Sequence, residues 1–269
     1  MEPLEKYFSD GPAGAVLSLH NHSVWSDGAS AAEEMCRAAK KAGVRVFGLS
    51  DHWVVHPDAQ LMPVSWSIAP GKLPAYLEEL ARLKRLFDDD KFTLLAGLEV
   101  DFFFENCEEV LAELERLPLD YLIGSVHYAG SFPIDNSAEE WKPLSPAETD
   151  AVCETYWKKM LGAAECGRFS LLGHLDLPKK FGFLPDPGVY LPRACRVLDA
   201  AAKKNTPIEL NTAGWFKECK EPYPSPEILA EARRRGIRVV IGADAHCSAH
   251  VTRNFAEAAQ LLRKTGFAC

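Results

Sequence analysis

One pattern restricts this chain more than any other: short apolar runs rich in Val, Ile and Leu alternate with longer amphipathic stretches, and each run ends on ionisable residues. A short apolar run followed by a helical period is the mark of a βα unit, and successive βα units build a parallel sheet. Seven runs qualify as strands: residues 15–19, 44–49, 92–98, 121–126, 170–173, 207–210 and 238–242. The helix after the first run opens at Ser30, with Glu33 three residues on as a capping box, and stops at Gly43. Further helices are expected over 73–87, 108–117, 146–166, 191–203, 226–235 and 253–264, with a long loop over 57–74. No repeat, low-complexity tract or Pro/Gly/Ser-rich linker divides the 269 residues, so residues 1–269 are expected to form one α/β barrel domain.

The groups that end the seven runs are His20-Asn21-His22, Asp51-His52, Glu99, His127, His174-Leu175-Asp176, Glu209-Leu210-Asn211 and Asp244-Ala245-His246. In a barrel of parallel strands all C-terminal ends lie on one face, so residues distant in sequence converge there. A lone strand-end histidine is commonly a hydrogen-bonded structural residue. Here six of the eight histidines follow strands, two of them as an H-x-H pair that strand alternation points to one side. Imidazoles with carboxylates suit Zn²⁺, Mn²⁺ or iron, and no cysteine cluster competes. The donors exceed what one ion can hold, so two to three divalent ions are expected, with Glu99 as the bridging carboxylate.

Composition narrows the partners. The formal charge of −8 gives no general attraction to nucleic acid or to an anionic membrane, so an anionic substrate must meet a local positive centre. Residues 1–10 carry no apolar run and read as neither signal peptide nor anchor, and no later stretch is long enough to span a bilayer. Eight cysteines without a C-x-x-C fit reduced thiols in a cytoplasmic enzyme.

His20-Asn21-His22-Ser23 through Ser26-Asp27-Gly28, then Ser50-Asp51-His52, resembles the opening of the PHP family, named for polymerase and histidinol phosphatase. Gly97-Leu98-Glu99-Val100-Asp101, Gly124-Ser125-Val126-His127-Tyr128, Gly173-His174-Leu175-Asp176-Leu177, Glu209-Leu210-Asn211-Thr212-Ala213-Gly214, Tyr223-Pro224-Ser225-Pro226-Glu227-Ile228-Leu229 and Gly242-Ala243-Asp244-Ala245-His246 are similar to its histidinol-phosphatase branch. The resemblance implies a single distorted (β/α)7 barrel with three metal ions. It also implies ligand sets: His20, His22, Glu99 and Asp244 for one ion, Glu99, His127 and His174 for a second, and Asp27, His52 and His246 for a third. The implied activity is phosphomonoester hydrolysis, with histidinol phosphate of histidine biosynthesis as substrate. A water bridging two ions would attack phosphorus, with Glu99, Asp244 and His246 as the catalytic groups.

Other residues carry expectations of their own. Lys180, Lys217 and Arg253 are candidate phosphate-binding cations, and Asp101 and Glu218 are carboxylates for a substrate ammonium. Asp51, Asp176 and Glu209 read as acceptors for ligand imidazoles, and Asn211 as a contact to substrate or scaffold. His56 and His250 read as ordinary loop histidines, and Cys247 as a packed thiol. Trp53, Trp66, Trp141, Trp215 and Phe216 are expected to wall a pocket. Phe216 stands where many similar phosphatases carry a basic residue, which bears on the substrate more than on the reaction. A PHP phosphatase for another small phosphate ester or nucleotide is the nearest rival. A proofreading nuclease would need a basic groove, a non-catalytic module would have lost ligands, and an amidohydrolase would lack the Ser26-Asp27-Gly28 turn.

Overall fold

The protein is described here by a computed structural model over residues 4–7, 17–183 and 186–267. In chain order the strands are β1 (Leu17–Ser18), β2 (Val46–Leu49), β3 (His52–Trp53), β4 (Thr93–Asp101), β5 (Tyr121–Ser125), β6 (Tyr128–Ala129), β7 (Phe132–Pro133), β8 (Leu171–Leu172), β9 (Ile208–Asn211) and β10 (Val239–Gly242). The main sheet runs β1-β2-β4-β5-β8-β9-β10 with every pair parallel. A parallel bridge between Asn21 and Ala245 brings the first and last strands together, so seven staves come nearly round into a barrel. The expected fold class is therefore observed. The start of the first expected strand, residues 15–16, lies outside the described residues.

Leu49 pairs with Ala96 and His52 pairs with Glu99, which is one unbroken register across β2, β3 and β4. The second stave is therefore a single strand interrupted at Ser50 and Asp51, and its register sets His52 beside Glu99.

Two of the three buried apolar clusters among the described residues support the barrel. Outside it, α2 (Leu73–Phe87) buries Tyr76, Leu77, Leu80 and Leu83 on a face with helical spacing, and the other helices do likewise. Inside it, Leu17, Leu19, Leu95, Tyr121, Ile123, Leu171 and Val240 fill the lower half, with Leu4 packed against them. Tyr121 crosses this interior and donates its hydroxyl to Leu19 O at 2.5 Å. A Cβ at Gly97 would come within 2.3 Å of the Tyr121 ring, so glycine is required there. The plug fills that half of the barrel, and the ionisable groups gather beyond it at the C-terminal ends of the strands.

Several elements differ from expectation. Helix α1 spans Ala32–Lys41, and its first turn is closed by Glu34, which accepts from Ala31 N–H, while Glu33 pairs with Arg37 and Arg82. The Ser30 hydroxyl instead accepts from Ser248 N–H, which ties the helix start to the last strand's loop. Helix α3 is Cys107–Leu114, shorter than the 108–117 pattern, and α6, Pro187–Lys204, starts four residues early because Asp186 caps it ahead of Pro187. The β6–β7 hairpin and α4 (Ala138–Trp141) were not anticipated, while α5 (Pro146–Cys166) and α7 (Pro226–Arg234) fall close to expectation. Helix α8 (Phe255–Lys264) begins two residues later than expected, which leaves Arg253 in the turn before it. The seven cysteines among the described residues are free thiols. No helix among those residues is long and apolar enough to cross a membrane.

Candidate active site

All nine candidate ligands converge at the open end of the barrel. Glu99, 1% exposed, is the centre. Its Oε1 lies 2.7 Å from His174 Nε2 and 3.6 Å from His127 Nε2. Its Oε2 lies 2.8 Å from His52 Nδ1, 3.2 Å from His20 Nε2 and 3.5 Å from His22 Nε2. Asp244 Oδ1 is 3.2 Å from His22 Nε2 and 3.7 Å from His20 Nε2. Asp27 spans His52 Nε2 at 3.6 Å and His246 Nε2 at 3.1 Å. Four overlapping sets bring donor atoms within 4.8 Å of one another: His20, Glu99 and His174; His20, His22 and Asp244; His52, Glu99 and His127; and His22, Asp27, His52 and His246.

The donor chemistry fits divalent ions. His20 Nε2, His22 Nε2 and Glu99 Oε2 are buried and make no hydrogen bond, although such atoms are normally satisfied. Burial would raise the Glu99 and Asp244 carboxyls, yet the surrounding imidazoles hold both well below the carboxylate range. Burial would lower His127 and His246, yet Glu99 and Asp101 lift the first to about 10, and Asp27 and Asp244 lift the second to about 9. His22 goes the other way, to about 3, through burial and the charge of His52 and His246. Ionised carboxylates packed among imidazoles with unbonded, buried nitrogens are a donor set that could hold divalent cations.

The supporting shell fixes the imidazoles. Glu209 can only accept, so His20 donates its Nδ1–H to Glu209 Oε1 at 2.8 Å and keeps Nε2 free as a ligand atom. The other Glu209 oxygen accepts from His174 N–H and from Asn211 Nδ2. A Cβ at Gly242 would sit 1.7 Å from Glu209 Oε1, so the neighbouring strand must carry glycine there. Asp101 accepts from His127 N–H at 2.9 Å and lies 3.7 Å from His127 Nδ1. The carbonyl of Asp244 accepts from His246 Nδ1, in a residue that adopts the left-handed conformation with φ 49°.

Two of the three expected imidazole acceptors do something else. Asp51 accepts from the N–H and hydroxyl groups of Ser23 and Ser26, and so shapes the turn that presents Asp27. Asp176 pairs with Lys179 at 3.0 Å and accepts from Ser225 N–H. Asn211 proves to be scaffold, bonded to Glu209, Asp244 and Ala213.

Above the cluster opens a cavity of about 810 Å³. Lys180, Lys217 and Arg253, the candidate phosphate-binding cations, all line it. Lys180 arrives already paired with Asp135, 3.2 Å away. Asp101 and Glu218 are not in the wall: Asp101 is turned to His127, and Glu218 is exposed outside it. Of the expected aromatic wall only Trp66 lines the cavity, joined by Tyr128 and Tyr223. Trp141 is 1% exposed and bonded to Ile134 O, Trp53 and Trp215 pack on the outer core, and Phe216 lies beneath Arg253. His56 is structural, bonded to Gly130 O, whereas His250 does join the cavity wall. Cys247 contacts His250 and stays out of the wall. Tyr128 and Tyr223 belong to segments that carry the family resemblance, although no role was expected of either, whereas Asp135 lies outside every motif and the sequence carries no signal that marks it.

Residues 18–213 match the model of the PHP domain. The chain is 36% identical to a "probable histidinol-phosphatase" of Deinococcus radiodurans over 87% of its own length and 86% of that protein. It is 24% identical to a histidinol-phosphatase of Lactococcus lactis, with 93% and 91% of the two chains covered. The crystal structure of histidinol phosphate phosphatase from Lactococcus lactis, complexed with zinc, L-histidinol and phosphate, superposes with a TM-score of 0.79 at 22% identity, over 94% of this chain and 95% of that one.

Proposed function

This chain belongs to the PHP domain family, and from that premise we propose that it is a metal-dependent phosphomonoesterase that hydrolyses L-histidinol phosphate to L-histidinol and phosphate. The observation that carries the reading is Glu99, a buried carboxylate with imidazoles on both oxygens beneath a cavity edged by Lys180, Lys217 and Arg253. The names of the relatives supply the substrate, and the cavity supplies room for it.

Two to three divalent ions, of zinc, manganese or iron, would be held by His20, His22, Glu99 and Asp244, by Glu99, His127 and His174, and by Asp27, His52 and His246. Bound there, such ions neutralise charge on phosphoryl oxygens and acidify a water. The chain's own groups do the rest. Lys217 and Arg253 make no ion pair among the described residues, so their charges are available to phosphate oxygens. Asp244 and His246 stand where the buried cluster meets the cavity, at 17% and 39% side-chain exposure, in reach of both water and substrate. Asp244, whose Oδ2 is turned to Asn211 and away from the imidazoles, accepts the proton of the attacking water and returns it to the leaving alkoxide, while His246 helps hold the site in place. Phosphorus gains the water oxygen and loses the alkoxide, with no covalent enzyme intermediate.

The test is kcat/KM of metal-replete enzyme for L-histidinol phosphate, a nucleoside monophosphate and a phosphodiester. Histidinol phosphate should lead. A preference above about tenfold for either competitor, some 1.4 kcal/mol in transition-state binding, would reject the substrate and leave a PHP phosphoesterase.

A further inference from the structure

Histidinol phosphate presents two opposite charges, a dianionic phosphate and an ammonium, to a cavity whose floor gathers metal ions. An ammonium near that floor is repelled unless a carboxylate holds it. Among the described residues the cavity is lined by three carboxylates, Asp27, Asp135 and Asp244. Asp27 and Asp244 face the imidazoles of the cluster. Asp135 makes its ion pair with Lys180 instead, although the charges of His127 and His174 also act on its carboxyl.

Its placement is built rather than incidental. The preceding residue, Ile134, is fully buried, donates its N–H to His127 O at 2.8 Å and accepts from Trp141 Nε1 at 2.9 Å. The backbone entering Asp135 is thus pinned to the strand end that carries a candidate ligand. Lys180 then fixes the residue itself, because its Nζ donates to Asp135 O at 2.6 Å and to Asp135 Oδ2 at 3.2 Å. The other carboxylate oxygen accepts no hydrogen bond among the described residues. Lys180 is therefore neutralised, whereas Lys217 and Arg253 keep unpaired charges.

We infer that Asp135, held by Lys180, is the subsite for the substrate's ammonium group, and that phosphate is left to Lys217 and Arg253. The inference rests on the histidinol-phosphate reading and adds a specificity residue to it: this enzyme selects phosphate monoesters of amino alcohols. Lys180 is a positioning residue for that carboxylate rather than a phosphate ligand.

The experiment compares L-histidinol phosphate with 3-(imidazol-4-yl)propyl phosphate, the same ester without its amine, on metal-loaded wild type, Asp135→Asn and Lys180→Met. Wild type should prefer the amine by about tenfold or more in kcat/KM, the range of one charge-assisted contact. Asp135→Asn should erase most of that preference through KM, and Lys180→Met part of it. Inhibition by the product L-histidinol should weaken in the same order, a readout that does not depend on turnover. Metal content and circular dichroism establish that the variants are folded and loaded. Equal losses on the two esters, or an amine preference that survives Asp135→Asn, would overturn the subsite while leaving the activity intact. A wild type that hydrolyses other monoesters but not histidinol phosphate would overturn the substrate reading and the subsite with it.

Discussion

The guanidinium carbon of Arg253 lies 3.9 Å from the centroid of the Phe216 ring. Phe216 is 48% exposed, and Arg253 Nε is buried with no hydrogen bond. The ring is a platform that aims a cation into the cavity. Phe216 thus does not cost the site a positive charge, because one is stacked on it.

Phe216→Ala should therefore weaken binding of inorganic phosphate by about two- to fivefold, the span of an exposed cation–π contact of about 0.5 to 1 kcal/mol. Phe216→Tyr should restore it, and Arg253→Ala should cost more than either. The inhibition constant of phosphate measures the effect. Wild-type affinity in Phe216→Ala would show the stack to be idle.

Glu99→Gln should lower kcat by more than about a hundredfold, as expected when preorganised charge is removed from an active site, while the fold persists. The change keeps shape but removes the anion that five imidazoles approach. Elemental analysis should fall from two to three ions per chain in wild type to fewer in the variant. Unaltered turnover and metal content would make Glu99 structural only.

Glu209→Gln should lower metal affinity by about 10- to 100-fold, the usual effect of losing the partner that orients a ligand imidazole. Gly242→Ala should reproduce the defect and also destabilise the fold by about 1 to 3 kcal/mol, because its methyl group would collide with the Glu209 carboxylate. Chelator titration and urea unfolding separate the two effects. A Gly242→Ala protein with native metal affinity would contradict the packing argument.

Lys159 is 4% exposed, donates to Tyr128 O and lies 3.6 Å from the Phe103 ring centroid. Burial lowers its pKa to about 8, against the opposing pull of Asp101 and Glu105. The unfolded chain therefore holds this proton up to a higher pH than the folded one, and stability rises with pH from about 8 towards the ordinary lysine value near 10.4. Between pH 8 and 9.5 wild type should gain on the order of 1 kcal/mol relative to Lys159→Met. Parallel stability profiles for the two proteins would show that Lys159 is not the group responsible.

Much of the site was written in the sequence because parallel strands turn sequence position into spatial position. Each strand must end on the same face, so the histidines and carboxylates at seven strand ends had to meet, and H-x-H had to point one way. Local pattern also fixed α2 and α5, whose apolar periodicity and start signals are contained within each helix. What tertiary structure alone decided are relationships between groups remote in sequence. The register that sets His52 beside Glu99 depends on how β3 slides along β4, and Asp51 turns to Ser23 and Ser26 only once that register exists. Glu209 reaches His20 across 189 residues because Gly242 makes room for it. Asp135 enters the cavity from the segment just after the β6–β7 hairpin, which has no strand-end signature, and Lys180 meets it there. Periodicity reports which face a residue takes, and only packing decides which partner that face meets.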